Sequence, residues 1–443
     1  CIRDRLRTFG AYPVPLLLIK AVGNSGELGF NYDGEFVPLE IEHVGGTNLQ
    51  VGSEAYLTLL TWLENGATSN GLPPPAPPTD GDGPCSKVVP GEFDETVTLA
   101  DANFDTFKND VQPIMEACNS GNCHGTPAGD FYLACGDDDR QIAWNFTQVQ
   151  AFVDDPVDNS QILNVPLAVT EGGIFHSGGE HFDSRSGADY VTVRDWAADV
   201  GRVEFGEGDA AKTFFRQHVQ PKLIQRGCLF EACHSPVAAN DLKLRSGSQG
   251  FFSSVALERN HHDLSKELMA LELPDARRGR AVAKGILPRF GGVAHRGGPV
   301  LETPGSGGSI PENCPSSYDP DTATAFCTMQ EWVNIERAAL ISAGEILPLA
   351  EGDTVPLVYV ERQENHIAGP LEFDTYQPNS DLFVVNADIG AGGAISVTDP
   401  VANRQSLLDN CAGAADRTVV DVSAPDVNPD GNMVVFSMRT SAA

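Results

Sequence analysis

The feature that most constrains how this chain folds is an internal repeat. Two stretches carry the same four features in the same order: Val-Gln-Pro, Cys-x4-Cys-His, His-x-Gly-Gly and a patch that ends in Trp. An aromatic residue stands six positions before each Trp, which places both side chains on one face of a helix. These pairs are Tyr190 with Trp196 and Phe326 with Trp332. We therefore predict two similar folded units, the first repeat at 99–201 and the second repeat at 208–340.

An incomplete third copy precedes the two full repeats. His43-x-Gly-Gly is followed by Tyr56 and Trp62 at offsets that match those of the full repeats, but no Cys-x4-Cys-His stands upstream of it. We predict that residues 1–70, here called the half-unit, form the back half of such a unit. The residues that follow, 71–98, are rich in Pro and Gly and are predicted to be a linker.

The pattern changes after the second repeat. Residues 341–443 contain short apolar runs typical of β-strands, separated by turn residues. We predict a small all-β segment here. The runs lie at 357–360, 382–385, 395–397, 419–420 and 433–436.

The Cys-x4-Cys-His motifs indicate the chemistry of the repeats. Cys-x-x-Cys-His is the attachment signature of c-type haem, in which two thiols form thioethers and the adjacent His binds the iron. Widening the loop to four residues keeps that arrangement, so the sequence predicts two covalently bound heme c groups. The attachment residues are Cys118, Cys123 and His124 in the first repeat and Cys228, Cys233 and His234 in the second. A local disulfide with an incidental His, or half of a zinc site, is the alternative.

The second axial ligand of each haem must come from elsewhere in the repeat. His176 and His295 stand at matched positions, whereas no Met is matched between the repeats. His181 competes in the first repeat but has no counterpart in the second. The glycines behind the matched histidines are expected to let the backbone approach the flat haem. They are Gly178, Gly179, Gly297 and Gly298.

Charge and hydropathy exclude several classes of function. The 61 acidic residues outnumber the 29 basic ones and give a formal charge of −32. This charge disfavours binding to nucleic acid or to anionic lipid. No run of apolar residues is long enough for a transmembrane segment. The expected partners are redox proteins or other cytochrome subunits, and an oligomer through the half-unit is a further possibility.

Six of the ten cysteines lie outside the two motifs. The His-to-Trp spacing is 37 residues in the second repeat against 20 in the first, and the extra loop carries Cys314 and Cys327. We predict that these two form a disulfide that closes the loop, and that Cys85 pairs with Cys135. Cys1 is expected either to be lipidated or to pair with Cys411. Such cysteine usage favours an exported protein in a periplasmic, outer-membrane or extracellular setting.

Both full repeats resemble the monohaem cytochrome c domains of large secreted bacterial proteins. The likeness rests on Val-x-Pro, Cys-x4-Cys-His, His-x-Gly-Gly and the final Trp helix. The tail, with Pro-Leu-Val-Tyr-Val-Glu-Arg at 356–362 and Asp-Val-Asn-Pro-Asp-Gly at 426–431, is similar to blades of the TolB-like propellers found in proteins resembling the hydrazine synthase alpha subunit. The resemblance implies a fold of mostly α cytochrome c-like domains in tandem, followed by a propeller-like segment.

The expected function is electron transfer by an exported c-type cytochrome with two bis-His haems. Iron held by two histidines has no open position for a substrate, so matched histidines argue against catalysis. Two alternatives remain open at this point. One is a haem enzyme with an open axial site, of the peroxidase or hydrazine-synthase type, and the other is a protomer of a polymeric cytochrome wire.

His43, with Gly45 and Gly46 behind it, poses a separate question. The half-unit is either a decayed repeat or keeps its pattern because His43 binds the iron of a further haem. That haem would be attached upstream or carried by another polypeptide. We predict that His43 lies within about 2 Å of an iron, by analogy with other imidazole–metal bonds.

Overall fold

The computed structural model describes the chain in two compact units. The N-terminal unit comprises Cys1–Met269 with Gly279–Ala339, and the C-terminal unit comprises Ala270–Arg278 with Leu340–Ala443. Within the described ranges, no helix combines the length and the apolar composition needed to cross a lipid bilayer. The described residues are 12–23, 26–41, 48–64, 83–91, 93–127, 131–174, 176, 178–230, 233–236, 238, 242–245, 247, 251–303, 309–362, 376–409, 411, 413–428 and 431–440.

The half-unit forms two helices joined through a β-hairpin. Helix α1 buries three apolar side chains along one face, and the two hairpin strands pair antiparallel around a tight turn. Asp33 and Gly34 occupy that turn, and both have positive φ, as a two-residue hairpin requires. The elements are α1 (Leu16–Val22), β1 (Gly29–Tyr32), β2 (Glu35–Pro38) and α2 (Glu54–Glu64).

The two full repeats pass through matching elements. Each repeat begins with a short helix that continues through one turn of π-helix and past the Val-Gln-Pro proline. The Cys-x4-Cys-His loop comes next. A long helix, a short helix and a terminal helix follow it. In the first repeat these are α4 (Phe104–Thr106), the π turn Phe107–Val111, α5 (Gln112–Met115), α6 (Asp139–Gln150), α7 (Gln161–Asn164) and α8 (Ala188–Val200), with α3 (Thr96–Leu99) before them. In the second they are α9 (Ala210–Phe214), the π turn Phe215–Val219, α10 (Gln220–Gln225), α11 (Ser254–Glu267), α12 (Arg280–Lys284) and α13 (Ala325–Ala343).

Local signals in the sequence explain where the long helices begin. Asp138 accepts a hydrogen bond from the Gln141 amide at the start of α6, and Ser253 accepts one from the Ala256 amide at the start of α11. A capping side chain of this kind satisfies a backbone N–H group that has no partner inside the helix. Both repeats therefore start their long helix with a polar cap.

The core of each repeat forms where the terminal Trp meets the π turn. Trp196 packs against Phe107, with ring centroids 5.0 Å apart, and Trp332 packs against Phe215 at 5.2 Å. Both Trp side chains are almost wholly buried, at 2% and 0% exposure. These aromatic contacts join the first and last helices of each repeat and so close it into a unit.

A buried amide pair in each repeat fixes the long helix to the Val-Gln-Pro turn. Asn145 Nδ2 donates to Gln112 Oε1 at 3.1 Å, and its Oδ1 accepts from the backbone amide of Ala134 at 2.7 Å. Asn260 and Gln220 form the same arrangement, with an amide-to-amide distance of 3.2 Å. The two amides thus hold the strand-like segment behind each Cys-x4-Cys-His loop.

We expect Asn145→Ala to lower the free energy of unfolding by about 1–3 kcal/mol, because it leaves buried backbone and amide groups without partners. Asn109→Ala is the matched control, since the Asn109 side chain makes its hydrogen bond at an exposed position. We expect that variant to change stability by no more than about 0.5 kcal/mol. Urea denaturation followed by circular dichroism measures both values, and equal losses for the two variants would contradict a role for the buried amide pair.

The C-terminal unit contains two separate small sheets. Strand β4 is central to the first sheet and pairs antiparallel with β3, β5 and β6, while β7 and β8 form the second. The core beneath includes Leu382, Leu408 and Val422, all fully buried. The strands are β3 (Thr354–Glu361), β4 (Asp381–Ile389), β5 (Ile395–Ser396), β6 (Gln405–Ser406), β7 (Asp421–Val427) and β8 (Val434–Arg439).

The predicted fold class, mostly α tandem cytochrome c-like domains with a propeller-like tail, is wrong. The structure is 37% helix and 12% strand, a mixed α/β fold with small sheets. The loops that carry the Cys-x4-Cys-His and His-x-Gly-Gly motifs separate the helices, because their glycines and prolines disfavour continuous helix. In the described part of the C-terminal unit, β5 and β6 have only two residues each and both pair with β4. This branched pattern differs from the repeated four-stranded blades of a propeller.

Two disulfides form as predicted. Cys314 bonds to Cys327, and Cys85 bonds to Cys135. The first closes the insertion that lengthens the second repeat, and the second ties the segment before the first repeat to the strand-like segment after its Cys-x4-Cys-His loop. Cys411 is half-buried. Cys1 lies outside the described residues, so the predicted alternatives for Cys1, lipidation or a disulfide to Cys411, stay predictions.

Removing the Cys314–Cys327 bridge by a double substitution to Ser should lower stability by about 3 kcal/mol, because the unfolded chain regains the freedom of the closed loop. Urea denaturation measures the loss. Peptide mapping without reductant provides the independent check, and free thiols at these two positions would contradict the bridge.

Candidate functional site

The first Cys-x4-Cys-His loop is a compact turn closed by its own backbone. In the first repeat the His124 amide donates to the Cys118 carbonyl at 3.1 Å, so the loop folds back and presents the His beside the first Cys. The Cys228 amide in the second repeat donates to Leu223 at 3.0 Å, as the Cys118 amide does to Met115 at 2.9 Å. Both loops therefore begin at the end of a short helix, although the bond spans three residues in the first repeat and five in the second.

Each His-x-Gly-Gly segment is a tight turn on the opposite side of its site. The amide of Gly179 donates to the His176 carbonyl at 3.1 Å, and Gly298 donates to His295 at the same distance. The second glycine of each pair has a positive φ, +93° at Gly179 and +79° at Gly298, which only glycine adopts without strain. The first glycine leaves room for the imidazole, because a Cβ at Gly178 would lie 2.6 Å from His176 Cε1.

The folded chain brings the predicted histidines together in two facing pairs. The rings of His124 and His176 are 5.9 Å apart between centroids and nearly parallel, with 7° between their planes. The rings of His234 and His295 are also 5.9 Å apart, at 17°. The residues of each pair lie far apart in sequence, so folding alone produces this arrangement. Its occurrence twice, with the same spacing, makes these pairs the candidate functional sites.

Hydrogen bonds orient three of these imidazoles through Nδ1. His124 Nδ1 donates to the Phe131 carbonyl at 3.1 Å, His176 Nδ1 to Gly179 at 3.3 Å, and His295 Nδ1 to Gly298 at 3.1 Å. Metal-binding histidines are typically fixed in this way, with one nitrogen bonded to a carbonyl and the other presented to the metal. Nε2 is therefore the ligand nitrogen that these rings can offer.

The protein environment keeps the first pair neutral. Burial lowers the pKa of His124, and the nearby His176 lowers it further. Burial also lowers the pKa of His176, against an opposing hydrogen bond to Gly179. An uncharged imidazole is the form that binds a metal.

The four cysteines of the two motifs are thiols in a structure that closes two other disulfides. Cys118, Cys123, Cys228 and Cys233 form no disulfide, whereas Cys85–Cys135 and Cys314–Cys327 are bonded. Burial raises the pKa of Cys118 to about 11 and that of Cys228 to about 12. Such thiols stay protonated at neutral pH and resist oxidation. This contrast disfavours a local disulfide within either motif and leaves the motif thiols available for another reaction.

Different segments of the chain pack against the two Cys-x4-Cys-His loops. Beside the first loop, the Gly121 amide donates to Gly83 at 3.1 Å, and the neighbouring Cys85 carries the disulfide to Cys135. Beside the second loop, the half-unit supplies the cover, because Tyr12 stacks on Phe230 with ring centroids 4.2 Å apart. An ion pair between Arg226 and Glu40, at 2.8 Å, holds the hairpin in place there.

The sequence analysis missed two features that support the sites. One is the amide pair of each repeat, for which the only signal is an Asn in each long helix. The other is a second Gly-Gly, four residues before each facing His. A Cβ at Gly173 would lie 1.9 Å from the Leu167 carbonyl oxygen, and one at Gly292 would lie 1.9 Å from that of Ile286. Comparison of the two repeats alone could have found this pair.

The remaining described histidines form no facing pair, although His181 lies near enough to His176 to lower the pKa of that imidazole. His181 is exposed, and His176 is the ring that faces His124. His262 is exposed and His218 half-buried, while His261 is buried against Glu336 at 2.9 Å. His43, Gly45, Gly46 and His366 lie outside the described residues, so the prediction for His43 stays a prediction.

The two sites fit a haem iron. Two metal–nitrogen bonds of about 2 Å put the facing nitrogens about 4 Å apart, and the rings themselves account for the rest of the 5.9 Å between centroids. Each pair would offer two imidazole nitrogens to a metal, and a haem would have to supply the remaining ligands. No group of three or more metal-binding side chains occurs among the described residues.

Comparison with known proteins gives no family model that matches the chain, and no curated protein or solved structure similar to it. The function must therefore be argued from the two sites themselves.

Gly178→Ala should destabilise the first repeat by about 1–3 kcal/mol, because the new methyl group displaces the His176 ring. Gly91→Ala is the matched control, since nothing lies within 4 Å of a Cβ there. A double-mutant cycle with His176→Ala tests the cause: the cost of Gly178→Ala should disappear once the ring is gone. A cost that persists would place the clash elsewhere.

Proposed function

We propose that this chain is an exported electron-transfer protein that carries one c-type haem in each full repeat. Cys118 with Cys123, and Cys228 with Cys233, would hold the two haems covalently. His124 and His176 would bind one iron from both sides, and His234 and His295 the other. The observation that carries this proposal is the pair of nearly parallel imidazoles, with ring centroids 5.9 Å apart, that recurs in both repeats next to the motif cysteines.

In each site the cysteines would attach the haem and the histidines would bind its iron. The short Cys-x4-Cys-His loop fixes the two thiols relative to the His, so one rigid turn would set both the covalent link and the first axial ligand. The His-x-Gly-Gly turn holds the second imidazole through the Nδ1 hydrogen bond to its own backbone. A c-type haem, when bound, supplies reversible one-electron oxidation and reduction of its iron.

Ligation from both sides favours electron transfer over catalysis. A haem enzyme needs an axial position that a substrate can reach, and each repeat presents an imidazole from either side of the candidate site. Because both axial ligands come from well-defined turns of the same repeat, little rearrangement should accompany a change in oxidation state. Such a site suits a carrier of electrons.

The disulfides support an exported location, and the net charge supports a redox partner with a basic docking face. Structural disulfides form in oxidising compartments such as the periplasm or the cell exterior, and this chain closes two. The formal charge of −32 would attract a redox partner with a basic docking face.

Replacement of His295 by Ala tests the axial ligands. We expect both haems to stay attached, with one becoming high-spin and able to bind CO, because the second iron loses its distal ligand. His262→Ala is the matched control, since the His262 side chain is 59% exposed and faces no other imidazole described here. A spectrum that stays wholly low-spin would reject His295 as a ligand.

Replacement of Cys233 by Ala tests covalent attachment. Intact mass should show two haems on the native chain and only one firmly attached haem on the variant, because a single thioether holds the second haem less securely. The unfolding transition of the second repeat should also fall, since a bound group contributes to folding. A native chain whose mass shows no attached haem would overturn the proposed function.

A further inference from the structure

The charged residues of the chain are divided unequally between the two full repeats. The first repeat holds 17 acidic residues and only 4 basic ones, whereas the second holds 14 acidic residues and 15 basic ones. More than half of the 29 basic residues therefore lie in the second repeat. The two candidate sites have the same facing histidines, so they differ less in their ligands than in the charge that surrounds them.

The imbalance extends to the residues beside the Cys-x4-Cys-His loops. Two positions before the first motif cysteine, the first repeat has the exposed Glu116, and the second has Arg226, whose side chain is only 7% exposed. The residue after the Val-Gln-Pro proline is Ile114 in the first repeat and Lys222 in the second. At both positions the second repeat has the more positive residue.

The segments behind the two loops differ in the same direction. Ala134 and Arg245 are matched, because the backbone amide of each donates at 2.7 Å to the buried Asn of its long helix. The caps of those helices are matched as well, and the carboxylate of Asp138 is replaced by the hydroxyl of Ser253. The second repeat again has the more positive residue at each position.

Charges from the half-unit and from the second repeat meet beside the second loop. Arg226 pairs with Glu40 at 2.8 Å and donates to the Glu302 carbonyl at 3.0 Å. Burial lowers the pKa of Lys222, with Glu40 opposing this change and Arg226 adding to it, so these three side chains lie close together. Lys20 of α1 also lies near the loop, since it opposes the rise that burial causes in the pKa of the second motif cysteine. The carboxylates of Glu40 and Glu302 thus offset these cations only in part.

The second loop is also better shielded from water than the first. Tyr12 of the half-unit, 1% exposed, stacks on Phe230 of the second loop with ring centroids 4.2 Å apart. Cys123 of the first loop is exposed, whereas its counterpart Cys233 is half-buried. Shielding lowers the local dielectric constant, which strengthens the effect of nearby charges and disfavours the more highly charged state of a metal.

We infer that the haem of the second repeat has the higher reduction potential, so that electrons pass from the first repeat to the second. This inference rests on the proposed function, because it requires one haem in each repeat. Oxidation adds one positive charge to an iron, so acidic surroundings stabilise the oxidised form and basic surroundings stabilise the reduced form. The acidic first repeat therefore gives up its electron more readily, and the second repeat accepts it.

Coulomb's law gives the expected size of the effect. One charge about 10 Å from an iron changes the equilibrium between its two oxidation states about twofold at the dielectric constant of water and about fifteenfold at a dielectric constant of about 20. We expect the electron of the half-reduced protein to occupy the second haem at least about ten times as often as the first. That preference corresponds to at least about 59 mV between the two potentials.

Spectroelectrochemical titration of the purified holoprotein measures both potentials, and charge variants assign them. Glu116→Arg gives the first repeat the residue type of the second at an exposed position, and it should raise the lower potential. Glu116→Gln should raise it by about half as much in mV, because one charge is changed instead of two. The higher potential should move less than the lower one in both variants. An unchanged lower potential, or a larger shift of the higher one, would overturn the inference.

Lys222→Gln provides the complementary variant in the second repeat. It should lower the higher potential by about twofold to fifteenfold in the equilibrium constant. Lys222→Arg is the matched control, because it keeps the charge, and it should leave both potentials in place. A shift of the lower potential instead, equal shifts for Gln and Arg, or no shift for either would contradict the inference.

Intact mass of the same samples separates the two levels of argument. Two attached haems with equal potentials, or with the order reversed, defeat this inference alone. A native chain without attached haem defeats the proposed function.

Discussion

Each full repeat is arranged around two imidazoles that lie nearly parallel, with 5.9 Å between their ring centroids. Polar rings do not stay buried at such a spacing without support, because each must have its hydrogen-bonding nitrogens satisfied. The chain supplies that support with backbone carbonyls at Nδ1 of His124, His176 and His295. The tight turns, the paired glycines and the capped long helices all serve to place these rings.

The two repeats keep the same motif histidines and cysteines in different surroundings. Where the first repeat packs Phe146 against its Trp, the second places His261, which bonds to the buried Glu336. A buried ionisable pair replaces an apolar contact, and such a pair stabilises little by itself but fixes a specific geometry. A disulfide secures the cover of the first loop, whereas aromatic stacking and an ion pair secure that of the second. The two repeats thus share the residues of the candidate site and differ in the residues that surround it.

The half-unit can be compared with the two full repeats. It is a back half whose α1 and hairpin pack well, and whose hairpin contacts the second repeat through Tyr32, which donates to the Arg216 carbonyl at 2.8 Å. Its open side carries the same Trp that closes each full repeat. The same Trp position is thus buried in the two full repeats and 40% exposed in the half-unit.

The sequence by itself determined the repeats, the candidate ligands and both disulfides, because each is a matter of residue type at a matched position. The two copies of Cys-x4-Cys-His and His-x-Gly-Gly identified the histidines that the fold brings face to face. Only the tertiary structure decided the fold class, since short apolar runs do not show in the sequence which strand each will pair with, and three of them pair with β4. It also decided that Asn145 and Asn260 hold the loops and that Trp62 is exposed. Burial is a property of the whole fold, and identical motifs acquire different roles when the segments that cover them differ.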